Sequence, residues 1–157
     1  MKFKPVAFLI NIFITLGIGA LGGLATSESV KTWYPTLNKP SFNPPNWLFA
    51  PVWTSLYILI GIAAYLVWIK RDKIAHFPRV LAIYFIQLIL NLCWSFIFFS
   101  LHEIGFALFE IIILLIVIVA NAIAFYKIDK WAGYLFIPYI LWVSFASFLT
   151  YSIFMLN

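Results

Sequence analysis

Apolar residues fall into five long runs separated by short polar stretches. None of the runs shows a strict alternation of apolar and polar positions. The runs cover about Pro5–Ala25, Trp47–Ile69, Pro78–Ser100, Ile104–Tyr126 and Trp131–Met155. Each has the roughly 20 residues a helix needs to cross the hydrocarbon core of a bilayer. Backbone groups left unpaired in lipid are costly, so spanning segments are helices or closed barrels. Barrel strands alternate between lipid-facing and lumen-facing residues, and that period is missing here. The pattern predicts an all-α membrane protein, a bundle of five transmembrane helices forming one domain over residues 1–157.

Between the first two runs lies a stretch of a different kind. Five of the eight prolines and three of the seven tryptophans lie between Trp33 and Trp53. Proline fixes φ and restricts the residue before it, so such a segment loses less entropy when it orders. The loop is predicted over about residues 27–46, long for a connection inside a compact protein. A stiff aromatic loop at a membrane surface reads as a lid or wall of a binding site.

Composition agrees with the spans. The chain is 65% hydrophobic and 10% charged, against about 25% charged in soluble domains. The net charge of +5 is therefore no nucleic-acid signal. Lys2, Lys4, Lys70, Arg71, Lys73, Arg79, Lys127 and Lys130 fall on one side of the bundle, and Lys31 and Lys39 on the other. In a bacterial cell membrane the positive-inside rule then places the N-terminus in the cytoplasm and the Pro-rich loop outside. The first run is read as the first span and not as a cleaved signal. Cys93 is the single cysteine, which excludes an intramolecular disulfide and a CxxC metal site.

Polar and aromatic residues mark helix faces. Asn11, Thr15, Gly19 and Gly22 share one face of the first helix, and Gly19 with Gly23 forms GxxxG. Such small residues serve either packing within the bundle or a dimer seam. Trp53, Tyr57, Gly61, Ala64 and Trp68 form a stripe on the second helix. Gln87, Asn91, Trp94 and Phe98 do so on the third, where the amides are either glue between helices or ligand contacts. Glu110 is the one acid well inside a span, and either belongs to a site or reaches for the interface. On the last helix Pro138 predicts a kink. Trp142 with Ala146 one turn on forms either a notch for a flat ligand or plain packing.

These residues resemble the translocator protein / tryptophan-rich sensory protein family (TspO/MBR, the peripheral-type benzodiazepine receptors). The resemblance is densest at Trp33-Tyr34, Lys39-Pro40, Pro44-Pro45, Trp47, Pro51-Val52-Trp53 and Leu56-Tyr57. It continues through Gln87, Asn91, Trp94, Phe98-Phe99, Gly105, Ala107 and Glu110, then Pro138-Tyr139, Trp142, Phe145-Ala146 and Leu149. The resemblance implies a five-helix bundle, often a homodimer, with a cavity opening toward the first loop. It implies a receptor or sensor for porphyrins such as protoporphyrin IX and for isoquinoline or benzodiazepine ligands, with no required cofactor. Carried over, the pocket comprises Tyr34, Trp47, Trp53, Tyr57, Asn91, Phe106, Glu110, Trp142, Phe145 and Ala146.

Phe106 stands where many relatives carry tryptophan, and Tyr151 is followed by no basic residue, so the animal cholesterol motif is unmatched. Lys31 and Lys39, near the mouth, are expected to attract porphyrin propionates. Two other function classes stay open. One is light-dependent porphyrin breakdown, for which Trp53 and Trp142 are the redox-active candidates. The other is transport of tetrapyrroles or lipid, although no inverted repeat accompanies the five spans. No hydrolytic constellation is present. His76 and His102 lie in or beside loops and share no helical face with another metal ligand.

Overall fold

The computed structural model describes residues 2–157. Its long helices are α1 (Pro5–Thr32), α2 (Asn46–Trp68), α3 (Phe77–Ser95), α4 (Ile104–Ile128) and α6 (Ile137–Leu156), with the short α5 (Lys130–Tyr134) before the last. No strand occurs among the described residues. Five helical segments, counting Lys130–Leu156 as one, are long and apolar enough to cross a membrane. The protein is thus a multi-pass membrane protein with the predicted all-α architecture.

Three boundaries differ from the sequence-based expectation. First, α1 continues past Ala25 to Thr32, so the link to α2 starts at Trp33 and not at Ser27. The polar residues Thr26 to Lys31 end the apolar run, but their helix propensities are only modestly below those of apolar residues. Second, α3 passes into a π-helical turn over Phe96–Ser100, closed by the Leu101 N–H donating to the Phe96 carbonyl at 3.0 Å. His102 follows with φ of 58°, a left-handed conformation in which histidine is one of the more tolerated residues. Third, the last span is broken between Tyr134 and Ile137. Pro138 sits in the first turn of α6, where its missing N–H is harmless, and the chain turns just before it.

The helices form a ring. α1 packs chiefly on α2 and then α3, while α4 touches α3, α5 and α6. α2 meets α5 more extensively than it meets α6, so the ring is tight at the α5 end and loose where α2 faces α6. The close α1–α2 contact depends on Gly61. A Cβ there would come within 3.0 Å of the Ile12 Cα and 2.9 Å of the Thr15 hydroxyl. Thr15 is fully buried and donates to the Tyr57 carbonyl at 2.7 Å, binding the two helices at the same level.

A hydrogen-bonded chain crosses the middle of the bundle. The Tyr57 hydroxyl donates to Asn91 Oδ1 (2.7 Å), Asn91 Nδ2 donates to the Tyr139 hydroxyl (2.8 Å), and that hydroxyl donates to Gln87 Oε1 (2.8 Å). All four residues are buried. The two amides on α3 therefore act as glue joining α2, α3 and α6, which is how lipid-embedded amides are stabilised. Apolar side chains around them, among them Ile60, Leu88, Ile118, Phe125, Phe136 and Val143, complete the core.

Candidate functional site

Where α2 and α6 diverge, a cavity of about 590 Å³ opens beneath the first loop. Such a volume falls within the range of small-molecule sites, roughly 300–1,000 Å³. Its walls have distinct chemistry. α1 contributes Leu16, Gly19, Ala20, Gly22, Gly23 and Val30, so the middle of that wall is made of small residues. α2 contributes Phe49, Trp53 and Tyr57, and α6 contributes Trp142, Phe145, Ala146 and Leu149. The end of α3 supplies Trp94 and, through the π-helical turn, both Phe98 and Phe99. Thr26, Ser27 and Lys31 of α1 add polar groups toward the loop.

The aromatic walls brace one another. Trp53 stacks on Tyr57 with centroids 5.6 Å apart, and Phe49 meets Trp142 edge-on at 6.1 Å. Trp94 stacks on Phe98 at 5.2 Å. The indole Nε1 atoms of Trp94 and Trp142 are buried and have no acceptor among the described residues. Because Tyr57 is held by Asn91, the central hydrogen-bonded chain also fixes the floor of the cavity.

The loop is ordered over the cavity by specific ties. Tyr34 is buried, lines the cavity, and donates from its hydroxyl to Asn43 Oδ1 at 2.9 Å. Burial pushes its phenol above the ordinary tyrosine range, against the lowering pull of the bond to Asn43, so the hydroxyl remains a donor. Lys39 Nζ donates to the carbonyls of Tyr34 (2.9 Å) and Leu37 (3.1 Å) and lies over the Tyr34 ring. Its charge is spent inside the loop, and only Lys31 of the two expected bases lines the cavity. Asn38 and Asn157 clasp each other through three hydrogen bonds involving Leu156 as well, and Phe42 stacks on Phe148. Trp33 stacks on His102 at 4.1 Å, and the Ser29 hydroxyl lies 3.4 Å from His102 Nε2.

Six of the ten residues expected at the site, Tyr34, Trp53, Tyr57, Trp142, Phe145 and Ala146, lie together around this cavity. The other four lie elsewhere. Trp47 and Phe106 are 71% and 56% exposed on the outside of the bundle. Asn91 lies behind Tyr57 with its amide engaged on both sides. Glu110 is buried without a hydrogen-bond partner for either oxygen, so it does not reach for the interface, and it does not line the cavity. Phe106 and Glu110 share a reason: α4 packs behind α3 and α6 and contributes nothing to the lining. Phe49, Trp94, Phe98 and Phe99 were not among the expected residues. The stripe Gln87–Asn91–Trp94–Phe98 pointed to two of them, but no sequence signal announces the π-helical turn that brings Phe99 to the same wall.

Comparison with known proteins agrees with this architecture. Residues 11–156 match the TspO/MBR family. The chain belongs to the TspO/MBR family. It is 43% identical over 147 residues to the "Tryptophan-rich protein TspO" of Archaeoglobus fulgidus, covering 94% of each chain. It is 36% identical over 149 residues to the "Tryptophan-rich sensory protein" of Cereibacter sphaeroides, covering 93% of this chain and 91% of that one. The "Translocator protein" of Sus scrofa is 35% identical over 141 residues, covering 87% of this chain and 83% of its own. For this member of the TspO/MBR family, the small-residue wall and the aromatic walls thus form the candidate site.

Proposed function

We propose that this protein is a membrane receptor that binds flat, largely apolar molecules, porphyrins of the protoporphyrin type foremost, under its first loop. The observation carrying this reading is the shape and chemistry of the 590 Å³ cavity. A wall of small α1 residues beside the rings of Trp53 and Trp142 makes a slot for a planar guest, and stacking with burial supplies the affinity. Lys31, at the loop end of the cavity, attracts carboxylate edge groups. Isoquinoline-type and benzodiazepine-type drugs, smaller and also flat, fit the same slot. The receptor is a homodimer in this reading, which cross-linking in native membranes tests.

Quenching of tryptophan fluorescence by protoporphyrin IX, titrated into the purified protein, tests the binding site. Trp53→Ala combined with Trp142→Ala is expected to weaken binding at least tenfold, since each large ring removed costs on the order of 1 kcal/mol or more. Unchanged affinity would show that the guest binds elsewhere. A second reading has one observation in its favour: both indoles border the cavity, in contact with any photo-excited guest. Illumination in air separates the two. Bound pigment lost faster than free pigment, and more slowly in Trp53→Phe and Trp142→Phe, favours degradation, whereas equal loss favours binding alone.

A further inference from the structure

A second recess of about 490 Å³ lies at the opposite end of the bundle, between the start of α1, the end of α2 and the first half of α3. Its walls are apolar and include Ile10, Ile14, Val67, Val80, Leu81 and Phe85. At its rim stand two bases, Lys4 and Arg71, and no acidic residue lines it. Neither base has a carboxylate partner, because the ion pair found among the described residues joins Lys70 to Asp129. The charged groups of this end are eight bases against Asp72, which is exposed, and the already paired Asp129.

The Arg71 side chain and the Lys4 backbone are held in place. Arg71 stacks its guanidinium over the Trp68 ring at 4.2 Å and donates from Nη1 to the Trp68 carbonyl at 3.0 Å, leaving the rest of its fork free. The backbone N–H of Lys4 donates to the Tyr65 hydroxyl at 2.9 Å, which anchors the chain where it enters α1. Deeper in, Tyr84 lines the recess at 3% exposure, and its hydroxyl has no partner.

We propose that this recess is a binding site for an anionic phospholipid of the adjoining leaflet. One acyl chain lies in the apolar slot between α1 and α3, and the phosphate sits between Lys4 and Arg71. A basic pocket between helix ends has the charge and the apolar floor that such a lipid needs. A guanidinium fork offers paired donors to phosphate oxygens. Free phosphate lacks the chain, and a zwitterionic lipid brings its own cation toward two bases. The site is independent of the cavity beneath the first loop.

Trp68 reports on the site. The full-length protein is placed in nanodiscs of dioleoyl phosphatidylcholine, and phosphatidylglycerol with brominated acyl chains is titrated in. The Trp68 signal is the difference between wild type and Trp68→Phe. Half-maximal quenching is expected at a mole fraction about tenfold lower for brominated phosphatidylglycerol than for brominated phosphatidylcholine. Lys4→Gln with Arg71→Gln should merge the two curves. Ala7→Phe, which keeps both charges and fills the slot, should raise the phosphatidylglycerol fraction required. Coinciding curves in the wild type, a preference that survives Lys4→Gln with Arg71→Gln, or an unchanged phosphatidylglycerol requirement in Ala7→Phe would overturn the proposal. The wild-type comparison decides it even if a variant loses its helical circular dichroism.

Discussion

Replacing Tyr139 by Phe removes one oxygen from the centre of the bundle and changes almost nothing else in shape. That oxygen accepts from Asn91 Nδ2 and donates to Gln87 Oε1, and Tyr139 and Gln87 are fully buried. The variant leaves an amide donor and an amide acceptor without partners where water does not reach. In a water-soluble protein each would cost about 1–3 kcal/mol. In lipid the separated helices find other partners, and measured interhelical bonds average about 0.6 and reach about 1.7 kcal/mol. Two such bonds give an expected loss of about 1–3 kcal/mol. Reversible unfolding in mixed micelles, titrated with sodium dodecyl sulfate, measures it. Gln87→Leu and the double variant complete a cycle, and a coupling of about 0.5–1.5 kcal/mol is expected for residues in direct contact. Porphyrin affinity should change little, because Tyr57 keeps its bond to Asn91 Oδ1. A single variant within about 0.3 kcal/mol of wild type, or strict additivity with Gln87→Leu, would show that this chain does not hold the helices together.

Three further outcomes follow from the packing. Gly61→Ala should destabilise the same unfolding transition by about 1–3 kcal/mol, since its Cβ meets the Ile12 backbone, whereas Gly17→Ala, with nothing within 4 Å, should be neutral or slightly stabilising. Asn38→Ala with Asn157→Ala removes the clasp between the loop and the end of α6, and stopped-flow mixing should show faster porphyrin entry and exit with a smaller change in affinity. Asp129 both pairs with Lys70 at 2.9 Å and caps α5 by accepting from the Trp131 and Ala132 N–H groups. Burial alone would raise its pKa, but the bonds from Lys70 and from those two N–H groups outweigh it and hold the carboxyl below the ordinary range. Its contribution is therefore present above about pH 4 and fades as pH falls through the lowered value. Asp129→Asn keeps a capping oxygen and should lose less than about 1 kcal/mol together with that acid-side dependence, while Asp129→Ala should lose about 1 kcal/mol more.

Legibility in the sequence followed the range of the physics. Span number and helix type rest on local composition, and the structure has them as expected. Helix ends were less legible. The end of α1 at Thr32 depends on packing of Ser29 and Trp33 against His102, a residue 73 positions away from Ser29. Among the candidate site residues, Tyr34, Trp53, Tyr57, Trp142, Phe145 and Ala146 share one cavity because α1, α2 and α6 carry them to the same end of the ring. Trp47 and Phe106 are equally aromatic, yet they stand on the outside, which composition alone does not distinguish.

Hydrophobicity along the chain was by itself enough to determine five crossings, since lipid tolerates few other backbone arrangements and the cost is paid segment by segment. The aromatic and proline spacing likewise marked the link that borders the cavity and six of the residues around it. Only tertiary structure decided which faces meet: that Asn91 binds two tyrosines, that Lys39 holds the loop closed upon itself, and that α4 is hidden from the cavity. Those outcomes depend on helix rotation and on the divergence of α2 from α6, which come from side chains interlocking across the bundle and leave no periodic trace in any one segment.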